Sequence, residues 1–569
     1  MPLDRRAAAD ALDEIAERME LRGDNTFRVR AFAAGARTVR GMEDFDVRVA
    51  AGTLTEVKGI GTGIAGEIAA LAGGGRSPLL EELRAAVPEG LLAVRRVPGI
   101  GPKKARTLHD GLGIASLAEL EYACRENRLK GLKGFGAKTQ DKVLAALTSL
   151  RRHAGRMRRD ETAAAEAAAD AAARRSGGRA FAAGAYRRGE PLADGLDLVV
   201  SAPDPAAAAE AVLAALPVEE VVARDPRGTA RARLAGGAEL RLTVVPPSAL
   251  GAALVAATGP EGHVRTLGRI RAERGPRAGA PAAWPTEEAF YADLGLPFVP
   301  PEARRDGEEI AAAARGALPP LLDRSAVLGA VHAHTTWSDG SGSVAGMLDA
   351  AARASLSWIG LSDHSRSATY AGGLTPERVV EQQREIAAEA ALRPSLRVFR
   401  GTECDILGDG ALDYDDATLD LFDFVVASVH SRFTMPRDEM TRRVIRALED
   451  PHTTVLGHPT GRLLLGRDGY ALDIPEVLRA CARLGVAVEL NSHPARLDLD
   501  LEWMPLVREL GVVVSLGPDA HDVDGFSALD HGVAVARRAA LPPSQVLNTR
   551  DAEGARAFFR SRRAKRRRP

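Results

Sequence analysis

The sequence predicts a multidomain protein in three parts: an all-α region over 1–150, an α+β region over 151–320 and a barrel-like α/β region over 326–569. Three observations carry this reading. Gly-rich turns interrupt apolar spacing near 3.6 at the N-terminal end, strand-like runs follow an Ala-rich stretch in the middle, and strand, loop and helix then alternate. At 569 residues the chain exceeds an ordinary domain several-fold, so more than one core is expected.

Composition narrows the function classes. Apolar residues at 45% and charged residues at 27% are ordinary globular values and argue against disorder. The 76 Lys and Arg balance 76 Asp and Glu, so net charge identifies no polyanionic partner and only local patches could. Cys124, Cys404 and Cys481 form no CxxC pair, which excludes a disulfide framework and a zinc finger and fits the reducing cytoplasm. The charged N-terminus (MPLDRRAAADALDEIAERMEL) has no apolar core, and no window approaches 18 apolar residues, so neither a signal peptide nor a membrane span is expected.

Within 1–150, three turns resemble one another: Lys58-Gly-Ile-Gly-Thr-Gly, Pro98-Gly-Ile-Gly-Pro-Lys-Lys and Lys133-Gly-Phe-Gly-Ala-Lys, each leading into a helix. Such a turn exposes backbone N–H groups at the positive end of a helix, a seat for phosphate. Gly59, Gly61, Gly99, Gly101, Gly134 and Gly136 are therefore candidate DNA contacts, with charge added by Lys103, Lys104 and Lys138. From 151 to 177 the Ala-rich run predicts a helix, after which LDLVVSA and AELRLTVV read as strands. Leu294-Gly-Leu-Pro-Phe-Val-Pro-Pro predicts an extended connection, because prolines disfavour helix in the preceding residues.

After 326 nearly every predicted strand ends in His, Asp or Glu: VLGAVHAH, WIGLSDH, RVFRGTECD, FDFVVASVH, TTVLGHP, VAVELNSHP and VVVSLGPDAH. Alternating strands and helices predict parallel strands in a barrel, with chemistry at their C-terminal ends. Nine of the 12 histidines fall after residue 330. His332 and His334 share one strand face, and with Asp339, His364, Glu403, His430, His458, Asp519 and His521 they make nine candidate metal ligands. Imidazole and carboxylate together suit zinc, manganese or iron. His452 and His531 read as satisfied loop histidines. Arg432, Arg462 and His493 read either as phosphate contacts or as solvated loop residues.

The motifs His332-Ala-His334-Thr-Thr-Trp-Ser-Asp339-Gly, Ser362-Asp-His364-Ser, Gly401-Thr-Glu403, Ser428-Val-His430, Gly457-His458-Pro and Asp519-Ala-His521 resemble the polymerase and histidinol phosphatase (PHP) domain. That resemblance implies a distorted (β/α) barrel holding up to three divalent ions and no organic cofactor. It places His332, His334, Glu403 and Asp519 on one ion, Glu403, His430 and His458 on a second, and Asp339, His364 and His521 on the third. Glu403, Asp519 and His430 become the expected catalytic residues, acting through metal-activated water without a protein nucleophile.

Over nearly the whole chain the order of parts resembles the bacterial family-X DNA polymerase, with helix-hairpin-helix turns first, a nucleotidyltransferase-like palm and thumb over 151–320, and the PHP domain last. Gly184-Ala-Tyr-Arg187-Arg188, Val244-Val-Pro-Pro, Tyr291-Ala-Asp-Leu-Gly-Leu-Pro-Phe-Val-Pro-Pro-Glu302 and Asp363-His-Ser-Arg-Ser-Ala-Thr-Tyr-Ala-Gly-Gly carry it. The polymerase carboxylates do not follow. The family's Asp-x-Asp pair falls on Gly195 and Asp197 and its third Asp on Arg241, with Asp194 one residue from the pair. Glu261 replaces a phosphate-facing lysine in Gly259-Pro-Glu-Gly-His263-Val, and Glu67 stands at the lyase lysine position. The resemblance thus implies a DNA phosphoesterase, a 3′-5′ exonuclease or 3′-end-processing enzyme of repair, holding DNA by sequence-independent backbone contacts beside a degenerate polymerase site. An active polymerase, a small-molecule phosphatase and a non-enzymatic DNA scaffold are the alternatives. The tail from Arg562 to Arg568 reads either as a flexible, salt-sensitive hold on DNA or as a merely solvated basic end.

Overall fold

The structure, a computed structural model, describes residues 4–42, 44–74, 76–125, 128–132, 134–153, 155–225, 227–274 and 283–566. Contacts divide the chain into two compact units, Met1–His153 and Ala154–Pro569.

The first unit is helical throughout. Helices Arg5–Arg22 and Thr26–Arg40 pair as an antiparallel hairpin, and their apolar faces close with Thr62–Gly74 and Pro78–Ala86 over Leu12, Ile15, Met19, Phe32, Ile68 and Leu83. A second core gathers Leu91, Val94, Leu108, Leu120 and Val143 from helices Glu89–Arg95, Pro102–Leu112, Leu117–Arg125 and Ala137–His153, with Ile100 and Phe135 from the turns between them. Each predicted Gly-hydrophobic-Gly turn has the same local geometry. Gly59, Gly99 and Gly134 adopt φ of 98°, 89° and 92°. Ile60, Ile100 and Phe135 follow and are buried, while the flanking glycines stay exposed. The N–H groups of Ile60, Ile100 and Phe135 donate to the Val57, Val97 and Leu132 carbonyls at 3.0, 2.9 and 3.1 Å and close the turns. The apolar residue anchors each turn, and glycine supplies the left-handed backbone. Lys133, which opens the third motif, lies outside the described residues.

In the second unit, helix Arg159–Arg175 and helix Pro205–Ala215 pack on a five-stranded sheet ordered Arg179–Ala182, Leu196–Ser201, Glu239–Val245, Thr229–Leu234, Val218–Arg224. Alternating burial in Thr229–Leu234 and Glu239–Val245 places Leu240, Leu242 and Val244 in an aliphatic core. Helices Leu250–Thr258, Glu261–Arg274, Glu287–Asp293 and Glu308–Ala314 build a small adjoining core around Phe290, Tyr291 and Ile310.

Seven parallel strands follow: Gly329–Ala330, Trp358–Leu361, Arg397–Asp405, Phe424–Ser428, Val455–Leu456, Ala487–Asn491 and Val514–Gly517, neighbours in that order. A parallel bridge between Ala333 and Ala520 brings the first and last together, so the sheet is a nearly closed barrel. Near-continuous apolar strands fit a sheet covered on both faces. The strands' N-terminal ends enclose Trp358, Phe399, Phe424 and Val455, against which helix Ala552–Arg566 lays Phe558 and Phe559. The end of the chain is therefore not the flexible tail its composition suggested as far as Arg566. Arg562 is buried and donates to the Thr453 and Leu448 carbonyls, because its position falls on the helix face turned toward the barrel. Arg567 and Arg568 lie outside the described residues.

Candidate metal centre

The first barrel strand ends at Ala330, and the chain then turns sharply: His332 adopts φ 74°. The strain is held by pairing on both sides, since His334 N–H donates to the Ala520 carbonyl at 2.8 Å and Ala520 N–H to that of His332 at 3.3 Å. Asp519, at φ 51°, is the other non-glycine residue in the left-handed region at this closure. Such strain costs of order 1–3 kcal/mol per residue and persists where surrounding structure over-determines it. Here it turns His332, His334 and Asp519 inward together. On the two strands that follow the first in the sheet, a bridge between His364 and Glu403 fixes two more strand ends in register.

All nine residues expected from the sequence converge at the strands' C-terminal ends. They form four overlapping groups with ligand atoms within 4.8 Å of one another: His334, Asp339, His364 and His521; His332, Glu403 and His458; His332, His334 and Asp519; His364, Glu403 and His430. Glu403 is the centre. Its carboxylate lies 2.8 Å from His458, 3.1 Å from His364, 3.2 Å from His430, 3.3 Å from His332 and 3.5 Å from His334. Asp339 reaches His521 at 3.4 Å and His364 at 3.5 Å.

Carboxylates behind the cluster aim its rings. Glu489 accepts from His332 Nδ1 at 2.6 Å and from the His458 backbone N–H at 2.6 Å. Asp405 accepts from His430 Nδ1 at 2.7 Å. A carboxylate can only accept, so each bond puts a proton on Nδ1 and turns Nε2 inward, where a bound cation would take the place of a second proton. Buried Asp363 accepts from Thr335, Ser338 and Gln382, which fastens the loop that carries Asp339. Arg496 lies 3.3 Å from Asp519, and Asn491 donates to it at 3.1 Å. Sequence reading missed Glu489, Asp405 and Asp363. For Asp405 the signal was present, two residues after Glu403 and hence on the same strand face.

The electrostatics suit a cation. Burial, abetted by His521 and His364, pushes His334 down to about 3. Burial opposes protonation of His430 too, but Glu403 and Asp405 prevail and raise it to about 10. Against burial, Asp339 and Asp519 raise His521 to about 9. Burial likewise opposes ionisation of Glu403, yet the surrounding histidines hold it well below the usual carboxylate range. The buried Nε2 of His332, both ring nitrogens of His334 and Nδ1 of His364 have no hydrogen-bond partner. Buried polar atoms are rarely left so, and inward ring nitrogens beside carboxylates fit divalent ions. His452 is instead engaged with Asp450 and Asp420, and Arg462 with Asp500 and the Arg496 and Leu497 carbonyls.

In the five-stranded sheet, Asp197 and Arg241 are register partners, and Arg241 grips Asp197 through Nε–Oδ1 at 2.5 Å and Nη2–Oδ2 at 2.9 Å. Gly195 has φ 105°, and a Cβ there would lie 2.4 Å from the Glu239 carbonyl oxygen. Asp194 is exposed and paired with Arg156 at 2.9 Å. His263 is buried between Glu309 and Tyr291, Glu261 pairs with Arg265, and Glu67 accepts from Ser77. No described helix is long and apolar enough to cross a membrane.

Comparison with known proteins agrees with this layout. Residues 4–77 match the helix-hairpin-helix domain and residues 91–149 the SAM-like helix-hairpin-helix tandem. The C-terminal part is 30% identical over 162 residues to the "Probable phosphatase" of Syntrophotalea carbinolica, covering 27% of this chain and 65% of that protein. A "Probable phosphatase" of Acetivibrio thermocellus is also 30% identical over 162 residues, with the same coverage. The DNA polymerase/3′-5′ exonuclease PolX of Bacillus subtilis is 32% identical over 566 residues, covering 96% of this chain and 98% of that protein. With similarity that spans both chains almost end to end, this protein belongs to the bacterial PolX family of DNA polymerase/3′-5′ exonucleases.

Proposed function

We propose that the chain is a metal-dependent DNA phosphoesterase, a 3′-5′ exonuclease or 3′-end-processing enzyme of DNA repair, whose polymerase-like region is catalytically inactive. The observation that carries it is the Glu403 carboxylate surrounded by five histidines at one end of the barrel. His332, His334 and Asp519, with Glu403, would hold one ion. Glu403, His430 and His458 would hold a second, and Asp339, His364 and His521 a third, each zinc, manganese or iron. Bound ions supply Lewis-acid polarisation of a phosphodiester and lower the pKa of water. The chain turns Nε2 of His332 and His430 inward through Glu489 and Asp405 and holds Asp519 in place through Arg496 and Asn491.

DNA binding is assigned to the three exposed turns. A Cβ added at Gly61, Gly101 or Gly136 would meet nothing within 4 Å, and none of the three has a left-handed φ. Internal packing therefore does not demand glycine there, whereas close approach of a phosphate to the backbone would. Contacts of that kind are sequence-independent.

Against polymerase chemistry stand the Arg241 guanidinium on Asp197 and a backbone at Gly195 that cannot accept an aspartate without moving. Two-metal nucleotidyl transfer needs carboxylates free to hold magnesium. Purified full-length protein with manganese and a labelled primer-template is expected to shorten 3′ ends, and Glu403→Ala to lose at least about a thousand-fold in rate, an effect of the size that removing one main catalytic group produces. Primer extension when nucleotides and magnesium are added would overturn the inactive-polymerase assignment. Intact 3′ ends together with fast turnover of a soluble monoester would replace the exonuclease reading with a small-molecule phosphatase.

A further inference from the structure

The motif from Asp363 to Gly373 contributes His364 to the metal cluster, yet its most conspicuous side chain has no part there. Tyr370 lies in a short 3-10 turn, Thr369–Ala371, and is 70% exposed. Its neighbours Ala368 and Ala371 are buried, so the turn is anchored and the ring is held out from it. Ala371 N–H donates to the Ala368 carbonyl at 3.0 Å and Gly373 N–H to the same carbonyl at 3.1 Å. Leu374 N–H returns to the His364 carbonyl at 2.9 Å, which ties the base of the loop to a cluster residue. The backbone at Tyr370 is therefore tied to the cluster. Its ring centroid is 6.2 Å from His364 and 6.3 Å from His430. Interplanar angles of 59° and 75° show that neither imidazole stacks parallel to it.

An apolar ring left in water and placed at the mouth of a phosphate-handling cluster suits a flat, neutral partner attached to the phosphate. A nucleobase is such a partner: every base has a π face, and base–aromatic stacking is sequence-tolerant. We propose that Tyr370 is the platform on which a base flanking the scissile phosphodiester stacks, so that the centre selects a nucleic-acid end over a phosphoester without a base. This rests on the phosphoesterase reading above, and Tyr370 acts by positioning substrate rather than by exchanging protons.

The test uses the full-length protein with manganese and two single-stranded oligonucleotides, one ordinary and one whose last two residues are abasic. On the ordinary strand Tyr370→Ala is expected to raise KM roughly 5- to 100-fold with little change in kcat, the size of one lost stacking contact, while Tyr370→Phe behaves as wild type. On the abasic strand wild type and Tyr370→Ala are expected to share the same raised KM. An equal loss on both strands, no loss on either, or a Tyr370→Phe variant as impaired as Tyr370→Ala overturns the platform. If wild type leaves both strands intact, the phosphoesterase reading fails, and a binding measurement then judges the platform separately. With 2-aminopurine at the 3′ end, quenching kept by Tyr370→Phe and lost by Tyr370→Ala supports stacking, whereas equal quenching in wild type and both variants overturns it.

Discussion

At the scale of single residues, the centre depends on groups that touch no substrate. Glu489 is buried, and a Cβ at Gly517 would lie 1.8 Å from its Oε1, so the glycine makes room for the carboxylate that orients His332. Glu489→Gln puts an amide where the carboxylate serves His332 and the His458 backbone, and disturbs the His332 tautomer. Metal affinity is expected to fall about 10- to 100-fold, checked by metal titration and elemental analysis. Asp405→Asn is expected to act in the same range through His430. The nine cluster residues were legible because strand-terminal histidines and carboxylates recur in the sequence at the ends of apolar runs. Glu489 was not, since a lone acid inside Ala487–Asn491 reads like any strand residue until the fold brings it to His332, 157 residues away.

At the scale of elements, the three helix-entering turns separate backbone strain from phosphate access. Gly99 has φ 89°, so Gly99→Ala is expected to cost about 1–2 kcal/mol of stability in the first unit, read as a shift in thermal unfolding. Gly101 has φ −88° and open space around its Cβ position. Gly101→Ala is expected to cost no more than about 1 kcal/mol, the loss of a favourable N-cap residue, and yet to weaken DNA binding. Lys103 and Lys138 are exposed, and replacing either by Ala is expected to reduce the slope of log affinity against log salt by about one. Lys104 differs from them, because its Nζ donates to the Gly99 carbonyl at 3.0 Å and lies 5.7 Å from the Phe135 ring centroid. The sequence marked all three lysines alike, and only the folded turn distinguishes the internal one.

At the scale of the whole molecule, two of the cores carry buried polar groups whose loss can be read in unfolding. His263, Glu309 and Tyr291 form a buried chain, with 2.5 Å between His263 Nδ1 and Glu309 and 2.6 Å between His263 Nε2 and the Tyr291 hydroxyl. Burial opposes ionisation of Glu309, but His263 and backbone N–H groups bring it down to about 2. Between pH 4.5 and 2 the unfolded chain binds the proton that the folded one refuses, so stability falls as pH drops through that window. Glu309→Gln is expected to flatten that part of the acid-unfolding curve. At the far end of the barrel, Arg562→Ala removes two hydrogen bonds from a charged donor to the Thr453 and Leu448 carbonyls and is expected to cost about 2–4 kcal/mol in thermal or urea unfolding.

Patterning by itself determined that the chain has an all-α start, an α+β middle and an alternating strand–helix end, because periodicity and turn residues are local signals. It also named the nine cluster residues, which is a matter of residue identity. What only the tertiary structure decided is relative placement: Glu403 at the focus of five histidines, Arg241 closed onto Asp197, Tyr370 held out beside His364, and Arg562 buried beneath the barrel. Each depends on strand register or helix phase between segments far apart in sequence, and a local pattern does not encode which distant backbone will stand opposite it.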